Sequence, residues 1–409
     1  MQRGTNLPAV GGYNQTLILD LVRRSRDGLS RVELAEQTGL SAQTVSNVSR
    51  RLLDDGLIRE GGKQVSGPGK PRTILHLEPT ARYAVGVHLD PTVITYVVLD
   101  LEGRVIAHTR TNTPAGADPE DTLRQMTTSI RELLATTGVD PERVLGVGIA
   151  APGPIDAARG TVVNPPLLTG WHDVPLRDSL SASSGLPVLL EKDVTAAAVA
   201  ERWMARDRER DNFLFFYYGT GVGAGVALDG DVLRGASSNA GDIGHLIIEP
   251  DGMLCRCGNR GCLGDSIVPA TLVAEATALG VLESSDRPRE AGEVDAAFTR
   301  LAALAHEGEP GARGIVDAAA ARVARGVLTM INMFDIDTVV FGGPFWERIS
   351  AEFLTRVPQL IRGDRALIAT HEIDYSSSSL GDDVAAIGAA CLVLDHAYSP
   401  RAATLLIGG

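Results

Sequence analysis

The chain has 409 residues, 44% hydrophobic and 22% charged, with a formal net charge of −13. One core does not extend over that length, so two or three domains are expected. No uncharged apolar run is long enough to span a bilayer, and the residues after Met1 lack the apolar stretch of a secretory signal.

The charge is unevenly spread. Residues 1–78 carry 11 Lys+Arg against 8 Asp+Glu, net +3, and the remainder carries 27 against 43, net −16. A small basic head on a large acidic body excludes broad contact with nucleic acid but allows the head alone to meet phosphate. Four cysteines in so long a chain fit a reducing cytoplasm better than a disulfide framework.

Leu17, Ile18, Leu21 and Val22 form one apolar stripe, which predicts a helix from Asn14 to Arg26. Ser30 with Glu33 three positions later is a capping-box pattern and starts a short helix, Arg31 to Thr38, that Gly39 ends. Ser41 opens a third helix, Ala42 to Asp54, with Val45, Val48, Leu52 and Leu53 inward. This is the helix-turn-helix plan. The polar face of the third helix offers Gln43, Thr44, Ser46, Asn47 and Arg50 to base edges and phosphates. Leu57–Lys63 and Thr73–Leu77 alternate like wing strands, and the loop between them, with Lys70 and Arg72, is basic and free of acid. A winged helix-turn-helix domain over residues 1–78, bound to double-stranded operator DNA, is the expectation.

From Tyr83 the pattern changes. Ala84–Leu89, Ile94–Leu99 and Arg104–Thr109 are β-rich runs at hairpin spacing, followed by a helix over Asp118–Thr137. Val144–Ala150 and Pro187–Glu191 read as strands, and Asp193–Met204 as a helix. A second set begins at Phe213–Tyr218 and is completed by Asp337–Gly343 and Leu367–Ile373. Hairpin strands followed by αβ units, occurring twice, predict an α/β body over residues 79–409 with two lobes and a cleft. Cys391, in an apolar run, reads as a buried thiol.

Three of the four cysteines, Cys255, Cys257 and Cys262, lie within eight residues and ten positions after His245. Zinc takes four such ligands tetrahedrally, and Gly258 and Gly261 let a tight loop wrap round one ion. With four protein ligands no position stays open for catalysis, so the ion would be structural.

That His–Cys set resembles the zinc signature of the ROK family (repressors, open reading frames, kinases), and the resemblance extends over nearly the whole chain. It implies an actin-like, hexokinase-like ATPase fold for the body. The head looks like the winged head of ROK repressors, which ROK kinases lack. In the family a first phosphate loop reads like Asp-x-Gly-Gly-Thr; here His88 replaces the acid, and Asp90 and Pro91 replace both glycines. Proline removes an N–H donor and aspartate repels phosphate, so this loop reads as dead. The second, Tyr218–Gly225, keeps its glycines, which either still cradle phosphate or serve only the strand turn. Phe341-Gly-Gly-Pro resembles the family's adenosine-side motif.

On the sugar side the resemblance assigns hydroxyl contacts to Asn164, Asp193, Asp242 and His245. Asp193 stands where kinases hold the catalytic base. Two positions depart from the family: Asp242 replaces a glutamate, and Gly264 stands where a sugar-contacting glutamate is expected. Together these features predict a non-enzymatic regulator, a repressor of carbohydrate genes. It would be controlled by a sugar or sugar derivative and would act as a homodimer or homotetramer. An ATP-dependent sugar kinase with an added head, or a regulator with a vestigial cleft, are the alternatives.

Overall fold

A computed structural model describes residues 7–64, 72–114, 118–168, 170–205, 211–283 and 291–400. In the head, α1 (Leu7–Arg24), α2 (Arg31–Thr38) and α3 (Ala42–Asp54) surround a small sheet of β1 (Leu29–Ser30), β2 (Ile58–Gln64) and β3 (Arg72–Leu77), ordered β1-β3-β2. The capping box forms as written: the Glu33 N–H donates to Ser30 Oγ at 3.3 Å and the Ser30 N–H to Glu33 Oε2 at 2.8 Å. Gly39 closes α2 in the left-handed region. Ile18, Leu34, Val45, Leu52 and Leu75 are fully buried between these elements. Helix α1 starts at Leu7, seven residues before the apolar stripe suggests; Pro8 in its first turn needs no N–H partner.

The body repeats one plan. Lobe one contains β4 (Tyr83–Leu89), β5 (Val93–Asp100), β6 (Val105–Asn112), α4 (Pro119–Thr137), β7 (Val144–Ala151), the short pair β8 (Ile155–Asp156) and β9 (Thr161–Val162), α5 (Leu176–Ser184), β10 (Val188–Lys192) and α6 (Asp193–Met204). Its sheet runs β10-β7-β4-β5-β6, antiparallel through β4, β5 and β6 and parallel from β4 through β7 to β10. Lobe two contains β11 (Phe213–Tyr218), β12 (Val222–Leu228), β13 (Asp231–Val232), α7 (Leu263–Ile267), α8 (Pro269–Ala278), α9 (Ala291–Glu307), α10 (Pro310–Phe334), β14 (Thr338–Gly342), α11 (Ser350–Arg362), β15 (Asp374–Ser377) and α12 (Val384–Tyr398). The order β13-β12-β11-β14-β15 carries the same antiparallel and parallel pairings.

Between the two sheets lie α6 and α12, both rich in alanine and almost wholly buried. Small side chains let the layers touch backbone to backbone. A Cβ at Gly148 of β7 would collide with the Ala389 carbonyl of α12, and one at Gly388 with the Ala196 carbonyl of α6. Cys391 is fully buried in this seam.

One predicted strand is displaced. Leu367–Ile373 is not sheet; β15 begins at Asp374. The Asn332 carboxamide occupies the backbone of this run, donating to the Ala366 carbonyl at 2.8 Å and accepting from the Ile368 N–H at 3.2 Å. Ile368 is 70% exposed, so its hydrophobicity is not a core signal here.

Candidate functional site

Three local arrangements carry the chemistry. The first is the exposed face of α3. Gln43, Asn47 and Arg50 stand exposed at positions i, i+4 and i+7, one helical face. The Gln43 amide donates to Asn47 Oδ1 at 3.1 Å. Thr44 and Ser46 are half-buried beside them, and the Thr44 hydroxyl lies 2.9 Å from the capping Ser41 hydroxyl. Arg72, exposed, opens β3; Lys70 lies outside the described residues.

The second is the His–Cys cluster. One ligand atom from each of His245, Cys255, Cys257 and Cys262 lies within 4.8 Å of all the others. His245 Nδ1 is 3.5 Å from Cys255 Sγ, and Cys257 Sγ is 3.6 Å from Cys262 Sγ. A tetrahedral ion with sulfur at about 2.3 Å needs ligand–ligand edges of about 3.7 Å, so the set fits a metal ion. The loop is pinned by backbone bonds, Cys255 N–H to Asn259 O at 2.8 Å and Gly261 N–H to Met253 O at 2.9 Å. Gly261 has φ +70° and a Cβ there would strike the Glu249 carbonyl, which explains the glycine. Glu249 in turn binds Arg322 at 3.1 Å and Arg325 at 2.8 Å, tying the loop to α10.

The third is a cleft of about 280 Å³ between the lobes. Its lining includes Asp90 and Pro91 after β4, Gly153 after β7, Asp193 at the start of α6, Thr220–Gly223 from the β11–β12 turn into β12, and Asp242, Gly244 and His245. Burial raises the Asp193 carboxyl above the usual carboxylate range, opposed by nearby His88 and Lys192. Its Oδ1 accepts from the Val194 N–H at 2.7 Å. The two phosphate-type turns meet at one bridge. Asp90 Oδ1 accepts from the Thr92 N–H at 2.9 Å and the Thr92 hydroxyl at 2.6 Å, and Oδ2 accepts from the Thr220 hydroxyl at 3.1 Å. An aspartate thus spans from the turn after β4 to the turn between β11 and β12 and places its carboxylate between them.

Of the four residues assigned to sugar contact, Asp193, Asp242 and His245 line the cleft and Asn164 does not. Asn164 is exposed, and its side-chain oxygen is engaged by His172 Nδ1. The cleft asparagine is Asn239, which clamps the other lobe by accepting from the Ile155 N–H at 2.8 Å and donating to the Ile155 carbonyl at 2.7 Å. No sequence motif marked it, because its partner is 84 residues away. Lys192 was legible only as a neighbour of Asp193; it is buried, lines the cleft and points its ammonium at the Ala240 carbonyl, 3.5 Å away. At Gly264, where the expected glutamate is missing, a Cβ would lie 3.0 Å from the Gly244 backbone, so the two loop segments approach closely here. Asp265 lines the cleft instead and pairs with Arg256 at 3.3 Å. Among the described residues no helix is long and apolar enough to cross a membrane.

A ROK family model matches residues 84–396, and a winged helix-turn-helix DNA-binding model matches residues 13–59. The xylose repressor of Caldicellulosiruptor bescii is 27% identical over 94% of this chain and 96% of its own length. The glucokinase of Thermotoga maritima is 30% identical, over 76% of this chain and 97% of its own. Among solved structures, a ROK family transcriptional regulator homologous to the Escherichia coli MLC protein superposes with a TM-score of 0.77 at 23% identity, covering 95% of this chain and 97% of that one. The glucokinase match leaves about a quarter of this chain uncovered, whereas the two regulators match nearly all of it.

Proposed function

The chain belongs to the ROK family, and from that premise we propose that it is a DNA-binding transcriptional repressor of carbohydrate genes, not a kinase. The observation that carries this reading is the Asp90–Thr220 bridge across the phosphate turns, in a chain that also bears a winged head. A kinase needs those turns open to phosphate oxygens and lined with donors. Here an acceptor fills the gap. The Gln43, Asn47 and Arg50 face of α3 reads the major groove, with Thr44 and Ser46 at its edge and Lys70 and Arg72 on the wing meeting backbone.

The effector is a sugar or sugar derivative held by Asp193 and Asp242. Zinc in the His245–Cys262 loop holds one wall of the cleft. Two heads in a homo-oligomer read paired half-sites, and a ligand that prefers one head spacing releases DNA. Xylose is the first effector to test, because a relative similar across 94% of this chain is a xylose repressor.

Fluorescence anisotropy with the duplex upstream of its own gene, titrated with xylose, glucose and other neutral sugars, tests this. Tight binding released by one sugar is the expected result; equal DNA affinity with and without every sugar would count against ligand control. The enzyme alternative has its own expected outcome. Coupled ADP release over the same sugars should stay at background in the parent and in Asp193→Asn. Turnover in the parent that disappears in Asp193→Asn would overturn the non-enzymatic reading.

A further inference from the structure

One helix touches both the cleft and the head. Helix α6 starts at Asp193, which lines the cleft, and ends at Trp203–Met204. At twelve residues it is about 18 Å long. At its far end Arg23 of α1, 180 residues away in sequence, donates to the Trp203 carbonyl at 2.5 Å and lays its guanidinium over the Trp203 ring at 3.9 Å. Asp20 holds that guanidinium from the head side at 2.6 Å, and the Arg23 side chain is only 7% exposed. A buried arginine fixed on both sides joins two elements more firmly than a surface pair can.

The helix between these ends has little freedom to bend. Gly223 and Gly225 of β12 lie so close that a Cβ on either would strike Val194 or Ala198, and Gly388 of α12 presses on the Ala196 carbonyl. The turn preceding β12 is itself part of the cleft lining. Close-packed contacts of this kind pass a displacement on instead of absorbing it. The far end is also where the packing is least satisfied. Only three buried side-chain polar atoms among the described residues lack a hydrogen-bond partner, and two of them, Arg202 Nε and Trp203 Nε1, lie in the last turn of α6. A junction with unmade hydrogen bonds has something to gain from a second seating.

We propose that α6 couples the cleft to the DNA-reading head, and that Arg23 is the positioning residue through which the head follows that helix. The inference rests on the reading of the chain as a ligand-controlled DNA-binding regulator. It needs no identified effector to test, because coupling is reciprocal: if the cleft biases the head, DNA on the head biases the cleft.

The test uses the full chain as parent, Arg23→Met and Arg23→Lys. Amide hydrogen exchange over residues 193–199 is measured free and with the duplex upstream of its own gene, and DNA affinity is read by anisotropy. DNA should change exchange at 193–199 in the parent by about fivefold or more, within the usual span of coupling. Arg23→Met should still bind DNA but lose that change, and Arg23→Lys, with its charge but not its fork, should keep part of it. A purely structural arginine would lower thermal stability and leave the DNA-induced change intact, which would overturn the proposal. So would DNA binding by the parent with no change at 193–199. If Arg23→Met does not fold, Arg23→Lys carries the test, and a full parental response there is the overturning result. Failure of the parent to bind any upstream duplex defeats the regulator reading itself, and this coupling with it, an outcome distinct from DNA binding without coupling.

Discussion

Full-length Cys262→Ser protein should carry no zinc by elemental analysis, where the parent should carry a single ion per chain. The remaining three ligands leave a site that metal chelators empty, since structural zinc depends on all four. The loss should fall on the cleft before it falls on the fold. Zinc would cross-link His245 to a loop that ends at Cys262, and Gly244, His245, Gly264 and Asp265 line the same cleft wall. The Leu263 N–H bonds to the Leu246 carbonyl at 2.8 Å and Gly264 to Gly244 at 2.8 Å, so a loosened loop carries that wall with it. Effector affinity should fall about 10- to 100-fold, the size of effect that follows disturbance of a metal site's supports. The two five-stranded sheets should stay folded by circular dichroism, because most of the residues of their cores lie outside the loop, although Leu263 and Ile267 just after it join the core of the second. Cys391→Ser is the internal control: that thiol is buried in the α12 seam, and its loss should leave the zinc in place. Zinc retained by Cys262→Ser, or unchanged effector affinity after chelation, would remove the ion from the mechanism.

What the sequence revealed and what it hid divide along physical lines. Helix α6 was readable to the residue, because its boundaries are set by a strand end and a long alanine-rich run. The head was readable because its signals are local: Ser30 with Glu33, Gly39 and Ser41 each act within four residues. Leu367–Ile373 misled because apolar residues in a row look the same whether a sheet or an asparagine side chain takes their backbone. Asn164 shows another limit, because it does not line the cleft. A motif fixes which residues sit near one another in sequence, but whether they face a cleft depends on how the loop is seated. The parts that govern the proposed regulation were the least visible. Asp90 reaching Thr220 spans 130 positions, and Arg23 reaching Trp203 spans 180. The substitution at Asp90 could be read as damage to a phosphate turn; that its carboxylate reaches Thr220 in the other turn required the fold.

Removing the Arg50 side chain should weaken specific DNA binding by about 1–3 kcal/mol, roughly 5- to 150-fold, with no loss of thermal stability. Arg50 is exposed and projects from the same face as Gln43 and Asn47, so it supports no packing that its loss would disturb. Salt and sequence then separate its two possible partners. If Arg50 meets a base, Arg50→Ala relaxes discrimination at one operator position and leaves the salt slope nearly intact; if it meets a phosphate, affinity falls evenly across sequences and the slope drops by about one. Asn47→Ala should cost a similar amount, because a carboxamide reads adenine with both its donor and its acceptor. Gln43→Ala should cost less. In the free protein the Gln43 amide already donates to Asn47 Oδ1, so it shares that acceptor with any base donor. Losing Gln43 removes a contact and a competitor together, so the two effects offset. Thr44→Ala should act differently again, since its hydroxyl lies against the capping Ser41 and its loss should loosen the start of α3 more than it alters sequence preference. The body gives none of this affinity back, because residues 79–409 carry a net −16 and repel the duplex. Binding is then expected to rest on the side chains of one helix face and wing, and anisotropy on these variants at two salt concentrations should show the two losses adding to about 2–6 kcal/mol when Arg50 and Asn47 are removed together, with the wing's phosphate contacts left as salt-sensitive residual binding.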